Sequence, residues 1–235
     1  MSLWTMDAGN TRLKLREIKN NTTQRSIIVF WHQVTPAFIQ TIQGDRVIVT
    51  KVVNLEKLSA LFKRFKQVTE IDATMIKNEF DFNTEYKNPK QLGVDRLLAA
   101  LGARLLFKND KKIAVINAGT ATTVEIIENN THLGGMIIAG NQLMLNSLAL
   151  ADQLPKLNVK SNATLGLDSI SCMQTGLTFM NQGLVLALLK AYKVDNIVVC
   201  GGNTTQFVDL DPSINLIPDL IMQTLSLFSQ KNKSI

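Results

Sequence analysis

Cysteine and histidine are scarce in this chain of 235 residues, which contains two of each. Cys172 and Cys200 are far apart in the sequence, so they form neither a disulfide framework nor a cysteine metal site. His32 and His132 are too isolated to build a histidine metal site, and neither is expected to be catalytic. So few thiols suit a reducing compartment, and we expect the protein in the cytoplasm.

Long apolar runs are also missing. No stretch of about 18 apolar residues occurs, so no transmembrane helix is predicted. The N-terminal residues reach the acidic Asp7 without a basic segment followed by an apolar one, and secretion is therefore not expected. Hydrophobic residues make up 46% and charged residues 19% of the chain, which is typical of a folded enzyme and not of a disordered protein.

Charge is weighted toward the basic side, with a formal net charge of +6. Such an excess can indicate nucleic-acid binding, but the lysines are scattered, and their densest groups lie at 108–112 and 231–233. The first group is predicted to be a loop and the second a tail, so a solvated surface explains them. Nucleic acid is not the expected partner, whereas an acidic small-molecule substrate would suit the positive field.

An internal repeat is the main indication of the fold. The segment Met6–Thr11 (Met-Asp-Ala-Gly-Asn-Thr) recurs as Ile116–Ala121 (Ile-Asn-Ala-Gly-Thr-Ala). Each copy ends an apolar strand and leads through a glycine turn into a second strand. After the first turn, apolar and charged residues alternate over 11–18, which is the pattern of a half-buried strand.

The order of the surrounding elements repeats as well. Strands are predicted at 2–7, 11–18, 25–32, 47–53 and 70–76, with helices at 35–43, after the N-cap Asn54, and at 93–107. In the second half, strands are predicted at 112–117, 121–128, 132–138, 196–200 and 214–217, with helices at 140–151, 168–192 and 218–229. We therefore predict an α/β protein of two related halves, 1–108 and 109–235, each with a mixed sheet. A cleft between two such halves is a preferred place for a ligand.

The glycine turns point to phosphate binding. Without a Cβ in the way, backbone N–H groups can approach phosphate oxygens closely, and the side chains of Asn10, Thr11, Thr120 and Thr122 add donors. One such turn is as often an ordinary hairpin, whereas two related turns facing each other would suit the two ends of a triphosphate. Asp7 ends the first strand and is placed to hold hydrated Mg²⁺, which takes one or two carboxylates together with phosphates.

A third glycine motif, Gly201-Gly202, follows the apolar strand at 197–200. This turn would let a flat base or a ribose lie against the backbone. Alone it fits any tight connection between a strand and a helix. As the third part of a set, it resembles the adenosine motif of the superfamily of actin, hexokinase and heat-shock chaperones. That resemblance implies a duplicated ribonuclease H-like (actin-like ATPase) fold that binds ATP.

Within this superfamily the sequence resembles the type III pantothenate kinases over nearly the whole chain. The matching segments are Asp7–Lys14, Tyr86–Arg96, Asn117–Thr123, Gly134–Gly140, Leu154-Pro155, Met173–Gly176, Gly201-Gly202 and Pro218–Leu220. Gly93-Val94-Asp95-Arg96 is specific to this family within the superfamily. The resemblance implies a homodimeric kinase that uses ATP to convert pantothenate to 4′-phosphopantothenate, the first step of coenzyme A biosynthesis.

The resemblance also implies roles for single residues. Asp95 would be the general base that accepts the pantothenate hydroxyl proton, and Arg96 would clamp the pantothenate carboxylate. The rest of the pantothenate site would be Tyr86, Gly93, Val94 and Thr175. The nucleotide site would comprise Asp7, Ala8, Gly9, Asn10, Thr11, Lys14, Gly119, Thr120, Ala121, Thr122, Gly201 and Gly202, with Mg²⁺ at Asp7. Without the family context, an Asp-Arg pair at a helix start is an N-terminal charge beside a surface arginine.

Two positions depart from the family's pattern. Asn117 stands where an aspartate linked to a monovalent cation is usual, so potassium or ammonium is predicted to bind weakly there or not at all. Ala139 stands where a proline is usual, which loosens the turn before the next helix.

Two other functions remain as alternatives. The first is a catalytically weak family member that serves as a regulatory or transcription-accessory protein. The basic charge and Asn117 favour it, whereas the intact Asp7, Asp95 and Arg96 oppose it. The second is an ATPase of the chaperone or actin kind, which would leave the Gly-Val-Asp-Arg segment unexplained.

Overall fold

The computed structural model describes residues 2–53, 56–151, 154–160, 162, 164–208 and 210–231. The chain forms two compact units, Met1–Gly102 with Leu220–Ile235, and Ala103–Asp219. The predicted halves were 1–108 and 109–235. In the structure the division between the units falls six residues earlier, after Gly102. The last helix of the chain is grouped with the first unit because it packs against that unit's sheet.

The first unit opens with three strands and then alternates strands and helices. In chain order its elements are β1 (Leu3–Ala8), β2 (Arg12–Lys19), β3 (Thr22–Phe30), α1 (Pro36–Gln40), β4 (Gly44–Lys51), α2 (Glu56–Phe62), β5 (Phe65–Glu70), α3 (Ala73–Phe80), β6 (Asn83–Thr84) and α4 (Val94–Leu106). The first five strands form a sheet in the order β3-β2-β1-β4-β5. β1 is antiparallel to β2 and parallel to β4.

The second unit repeats this plan. Its elements are β7 (Lys112–Ala118), β8 (Ala121–Glu128), β9 (Thr131–Ala139), α5 (Asn141–Leu148), α6 (Ser169–Ala187), β10 (Asn196–Cys200) and β11 (Ile214–Leu216). The five strands of this unit are in the order β9-β8-β7-β10-β11 within a six-stranded sheet that also includes β6, with β7 antiparallel to β8 and parallel to β10. The predicted duplication of one α/β fold is thereby confirmed. The chain ends with α7 (Leu220–Lys231), and none of the described helices has the length and apolarity to cross a membrane.

Alternation along the strands decides which side chains enter the core of the first unit. On β1, Trp4, Met6 and Ala8 join one apolar cluster with residues of β2 and β4. Each fully buried large apolar side chain in such a cluster contributes roughly 1.5–3 kcal/mol. Because successive strand residues point to opposite faces, Thr5 and Asp7 lie on the other face. The strand that carries Asp7 is therefore fixed in register by its apolar partners.

The connection between β4 and α4 differs from the prediction. The strand predicted at 70–76 is in fact the helix α3, and β5 lies just before it. Asp72 caps α3, since its carboxylate accepts a hydrogen bond from the Met75 N–H at 2.8 Å, a favourable N-cap arrangement. Over so short a segment Ile71 and Ile76 fit either the helical or the strand period. The predicted N-cap Asn54 lies outside the described residues.

The helix α4 is held in place by close packing. Leu97, Leu98 and Leu101 are buried on one stripe of the helix. On another side, a Cβ added at Gly102 would overlap Thr224 Oγ1 and lie 2.8 Å from Leu220 Cδ1, so α4 and α7 lie close together in the first unit. This packing fixes the first turn of α4, where Asp95 and Arg96 stand.

Candidate functional site

A buried carboxylate ends β1. Asp7 is opposite Lys14 in the antiparallel pair of β1 and β2, and Lys14 Nζ lies 3.3 Å from Asp7 Oδ2. Burial raises the pKa of the Asp7 carboxyl above its ordinary value, and the positive charge of Lys14 acts in the opposite direction. The carboxylate is therefore largely removed from solvent, with one cation beside it.

In the first glycine turn, the N–H group of the glycine is hydrogen-bonded within the hairpin. The Gly9 N–H donates to the Arg12 carbonyl oxygen at 3.1 Å, which leaves Asn10 and Thr11 exposed at the tip. A Cβ at Gly9 would make only an ordinary 3.4 Å contact. The sequence prediction missed Trp31, whose Nε1 donates to the Gly9 carbonyl oxygen at 2.8 Å. No motif marks that tryptophan, so the sequence carried no signal for this tether.

In the second glycine turn the glycine N–H is also bonded within the turn. The Gly119 N–H donates to the Ala121 carbonyl oxygen at 3.2 Å, and Thr120 accepts a backbone hydrogen bond from Gly140 at 3.0 Å. Thr120 and Ala121 are exposed, whereas Thr122 is buried on β8 opposite Ala118. The Gly140 contact thus joins the start of α5 to the turn.

The Gly-Gly motif packs directly on this second turn. Gly201 has φ +96°, and a Cβ there would lie 2.6 Å from both the Ala118 carbonyl oxygen and Asn117 Oδ1. Asn203 adds two hydrogen bonds, from its N–H to the Ala118 oxygen at 3.0 Å and from Nδ2 to the Gly119 oxygen at 3.3 Å. The structure therefore brings together the second and third predicted motifs of the nucleotide site, with Gly202 exposed. Asn203 was not predicted, although a polar residue directly after a Gly-Gly turn is a usable signal.

The Asp-Arg pair stands at the start of α4 as predicted. The Gly93 carbonyl oxygen accepts hydrogen bonds from Arg96 and Leu97 and so starts the helix, and Asp95 is in the first turn. Arg96 is buried, with its guanidinium carbon 5.7 Å from the centroid of the Tyr86 ring. A buried arginine against an aromatic face is not an ordinary surface arginine. This geometry gathers Tyr86, Gly93, Asp95 and Arg96, with Val94 between them in the chain.

Thr175 has a local structural role. It is buried on α6, where its hydroxyl donates to the Thr164 carbonyl oxygen at 2.7 Å and accepts from Asn162 Nδ2 at 3.1 Å. These bonds hold the segment before α6 against the helix. The substrate contact implied for Thr175 stays a prediction.

A lone carboxylate with hard oxygen donors fits Mg²⁺ when phosphates complete the coordination shell. Asp7 supplies such a carboxylate. Among the described residues, no group of three or more His, Cys, Asp and Glu side chains could hold a metal by itself. In the second unit Asn117 takes the position that corresponds to Asp7, and its amide brings an oxygen without a charge.

Comparison with known proteins finds related sequences of one family. A family model described as type III pantothenate kinase matches residues 3–191. The chain is 26% identical over 227 residues to a type III pantothenate kinase of Hahella chejuensis, with 94% of each chain covered. It is 30% identical over 181 residues to a type III pantothenate kinase of Pelagibacter ubique, covering 72% of this chain and 71% of that relative.

Solved structures show the same fold at low identity. A protein of Campylobacter jejuni named as a Baf family transcriptional activator has a TM-score of 0.65 at 18% identity, covering 99% of this chain and 100% of that one. A protein of Sinorhizobium meliloti named as a 2-dehydro-3-deoxygalactonokinase has a TM-score of 0.63 at 10% identity, covering 99% and 97%. An archaeal actin homologue has a TM-score of 0.52 at 10% identity, covering 98% and 100%. These likenesses concern the fold alone, and they confirm the predicted actin-like architecture.

Proposed function

This chain belongs to the type III pantothenate kinase family, and we propose that it transfers the γ-phosphoryl group of ATP to the pantothenate hydroxyl with Asp95 as the general base. It is thus a kinase for the first step of coenzyme A biosynthesis. The observation that carries the residue roles is the buried Arg96, held against Tyr86 directly beside Asp95 at the start of α4. A plain surface charge pair would not bury its arginine.

The proposed chemistry assigns one task to each of these two residues. Arg96 offers a planar fork that can bind a carboxylate with two hydrogen bonds, so it orients pantothenate. The pantothenate hydroxyl oxygen attacks the γ-phosphorus, its proton passes to Asp95, and ADP leaves. A weakly basic carboxylate is sufficient, because positioning dominates a loose phosphoryl-transfer transition state.

In the nucleotide site the glycine turns act through the residues beside them. Because the Gly9 and Gly119 N–H groups are bonded inside their turns, we assign the phosphate contacts to Asn10, Thr11 and Thr120. The fold tolerates a Cβ at Gly9, so close approach of a phosphate is the remaining reason for a glycine there. Gly201-Gly202 would support adenosine.

The carboxylate of Asp7 would hold Mg²⁺, and the charge of the bound ion would neutralise the phosphate oxygens. Lys14 is within reach of the same carboxylate. Its ammonium group can turn toward a phosphate when the ion takes its place beside Asp7. The phosphates of bound ATP would then supply further ligands to the ion and a negatively charged partner to Lys14.

We also propose a homodimer in the cytoplasm. An exposed stripe at helical spacing runs along α6, namely Cys172, Gly176, Phe179, Gly183 and Leu186. Beyond the helix's own backbone, no atom of the described residues lies within 4 Å of a Cβ at either glycine, so a second helix could approach closely on this face. The mass in solution tests this: a wild-type monomer of 26.1 kDa would contradict it, and Phe179→Lys should dissociate a dimer.

An assay of ADP release with and without pantothenate tests the function. We expect release only with pantothenate, a fall of kcat of about 10²-fold or more in Asp95→Asn, and mainly a higher KM for pantothenate in Arg96→Ala. Arg96→Lys is the matched control, since it keeps the charge and loses the fork. Equal ADP release without pantothenate would contradict the proposal, and a folded but inactive wild type would favour the regulatory alternative.

A further inference from the structure

The residue next to Asp7 on the neighbouring strand is Thr50. In the parallel pair of β1 and β4, Asp7 lies directly beside Thr50. Val47 and Val49 of β4 belong to the same apolar cluster as Met6 and Ala8. Since side chains alternate along a strand, Thr50 and Asp7 both point to the face of the sheet that is opposite this cluster. Neighbouring strands are only about 4.8 Å apart, so the two side chains are adjacent.

The hydroxyl of Thr50 is an anomaly in this position. Thr50 is fully buried, and its Oγ1 has no hydrogen-bond partner among the residues that the structure describes. A buried hydroxyl without a partner costs about 1–3 kcal/mol. Valine would fill the same β-branched shape on this strand without that cost, as it does at Val47 and Val49.

The two neighbours of Asp7 therefore differ. On the β2 side the carboxylate meets the Lys14 ammonium at 3.3 Å, while on the β4 side it meets an unpartnered hydroxyl. A hydroxyl that is adjacent to a carboxylate and not bonded to it can share a bridging water with that carboxylate. Mg²⁺ keeps several of its waters when it is bound through a single carboxylate and phosphates.

We propose that Thr50 is a positioning residue for the metal site, and that its hydroxyl accepts a hydrogen bond from a water bound to the Mg²⁺ that Asp7 holds. The inference rests on the proposed role of Asp7. Groups that orient the ligands of a metal in this way typically change its affinity by 10–100-fold when they are removed.

The chain supplies a matched control in Thr5. This threonine is also buried on the same face, and within the described part of the chain its Oγ1 has no hydrogen-bond partner. It lies beside Ile48 and opposite Arg16 instead of beside Asp7. Loss of its hydroxyl should therefore leave the metal site unchanged.

The test measures Mn²⁺ binding to the full-length protein with ADP, by the electron paramagnetic resonance of free Mn²⁺. Thr50→Val should weaken Mn²⁺ binding by about 10-fold or more, whereas Thr50→Ser and Thr5→Val should bind as the wild type does. The Tm of Thr50→Val should be unchanged or higher, because an orphan hydroxyl is removed. If Thr50→Val does not fold, Mn²⁺ binding is compared between Thr50→Ser, which keeps the hydroxyl, and Thr50→Ala, which lacks it.

The outcomes separate the two ideas. Unchanged Mn²⁺ binding in Thr50→Val, or an equal loss in Thr5→Val, overturns the role of Thr50. Asp7→Asn decides the premise: if it abolishes binding while Thr50→Val does not, only the Thr50 inference fails. If Asp7→Asn binds Mn²⁺ normally, the metal role of Asp7 in the proposed function fails, and the inference fails with it.

Discussion

Replacing Gly201 by alanine should destabilise the protein through two separable effects. The residue has φ +96°, a backbone conformation that side chains rarely adopt, and a Cβ would stand 2.6 Å from the Ala118 carbonyl oxygen. Two other glycines isolate these effects. Gly134 has φ +137°, and apart from its chain neighbours no described residue comes within 4 Å of its Cβ position. Gly140 has an ordinary φ of −69°, but a Cβ there would overlap the backbone oxygens of Gly119 and Thr120.

The magnitudes follow from these contacts. A strained backbone conformation costs about 1–3 kcal/mol, and overpacking against backbone that cannot move costs about 1–3 kcal/mol. The Ala118 oxygen is held in place because it accepts the Asn203 N–H at 3.0 Å. Gly201→Ala should therefore lose about 2–6 kcal/mol, and Gly134→Ala and Gly140→Ala about 1–3 kcal/mol each. For a chain of this size, the expected fall in Tm for Gly201→Ala is roughly 5–20 °C.

Thermal unfolding and the KM for ATP, measured on the three alanine variants, check both parts. The added Cβ of Gly201→Ala and of Gly140→Ala would collide with residues of the second glycine turn, so both substitutions should raise the KM for ATP. Gly134→Ala should lower Tm and leave that KM unchanged. The reasoning is refuted if Gly201→Ala is no less stable than Gly134→Ala, or if all three variants raise the KM equally.

Two further predictions concern Asp7 and Asn117, which occupy equivalent positions in the two copies of the repeat. Because burial raises the pKa of Asp7 above 3.8, the native state binds more protons than the unfolded state between the two pKa values, so wild-type stability falls as pH rises through that window. Asp7→Asn should thus have a higher Tm than the wild type at pH 8 and the same Tm below a pH of about 3.8; a difference independent of pH would contradict this. For Asn117→Asp, activity titrated with potassium at constant ionic strength should respond more strongly and at lower concentration than in the wild type; tight activation of the wild type that the substitution leaves unchanged would show that other ligands build the cation site.

The repeat made the fold accessible from the sequence, because it places Asp7 and Asn117 at the same point of two matching five-strand orders. Local alternation also predicted which residues of β2 enter the core, with Leu13 and Leu15 buried and Arg12 exposed. Short segments without a clear period were less predictable. The helix α3 was mistaken for a strand because its few apolar residues fit both periods.

Some contacts between distant residues left no signal in the sequence. The hydrogen bond from Trp31 to Gly9 joins residues on different elements, and the burial of Arg96 depends on the placement of Tyr86. The phosphate turns were predicted from their glycines, but the structure shows that the N–H groups of Gly9 and Gly119 are already bonded. Periodicity and motifs report on single elements, whereas these features depend on how elements pack.

The two copies of the repeat differ at three equivalent positions, and at two of them the difference is one of charge. Asp7 has Lys14 across the antiparallel pair and Thr50 beside it in the parallel pair. Asn117 has Thr123 and Cys200 in those places. A carboxylate at 117 would therefore have no lysine opposite it, and a bound monovalent cation would be needed to balance its charge. An amide needs no such partner, so we expect the protein with Asn117 to work without a monovalent cation at this position.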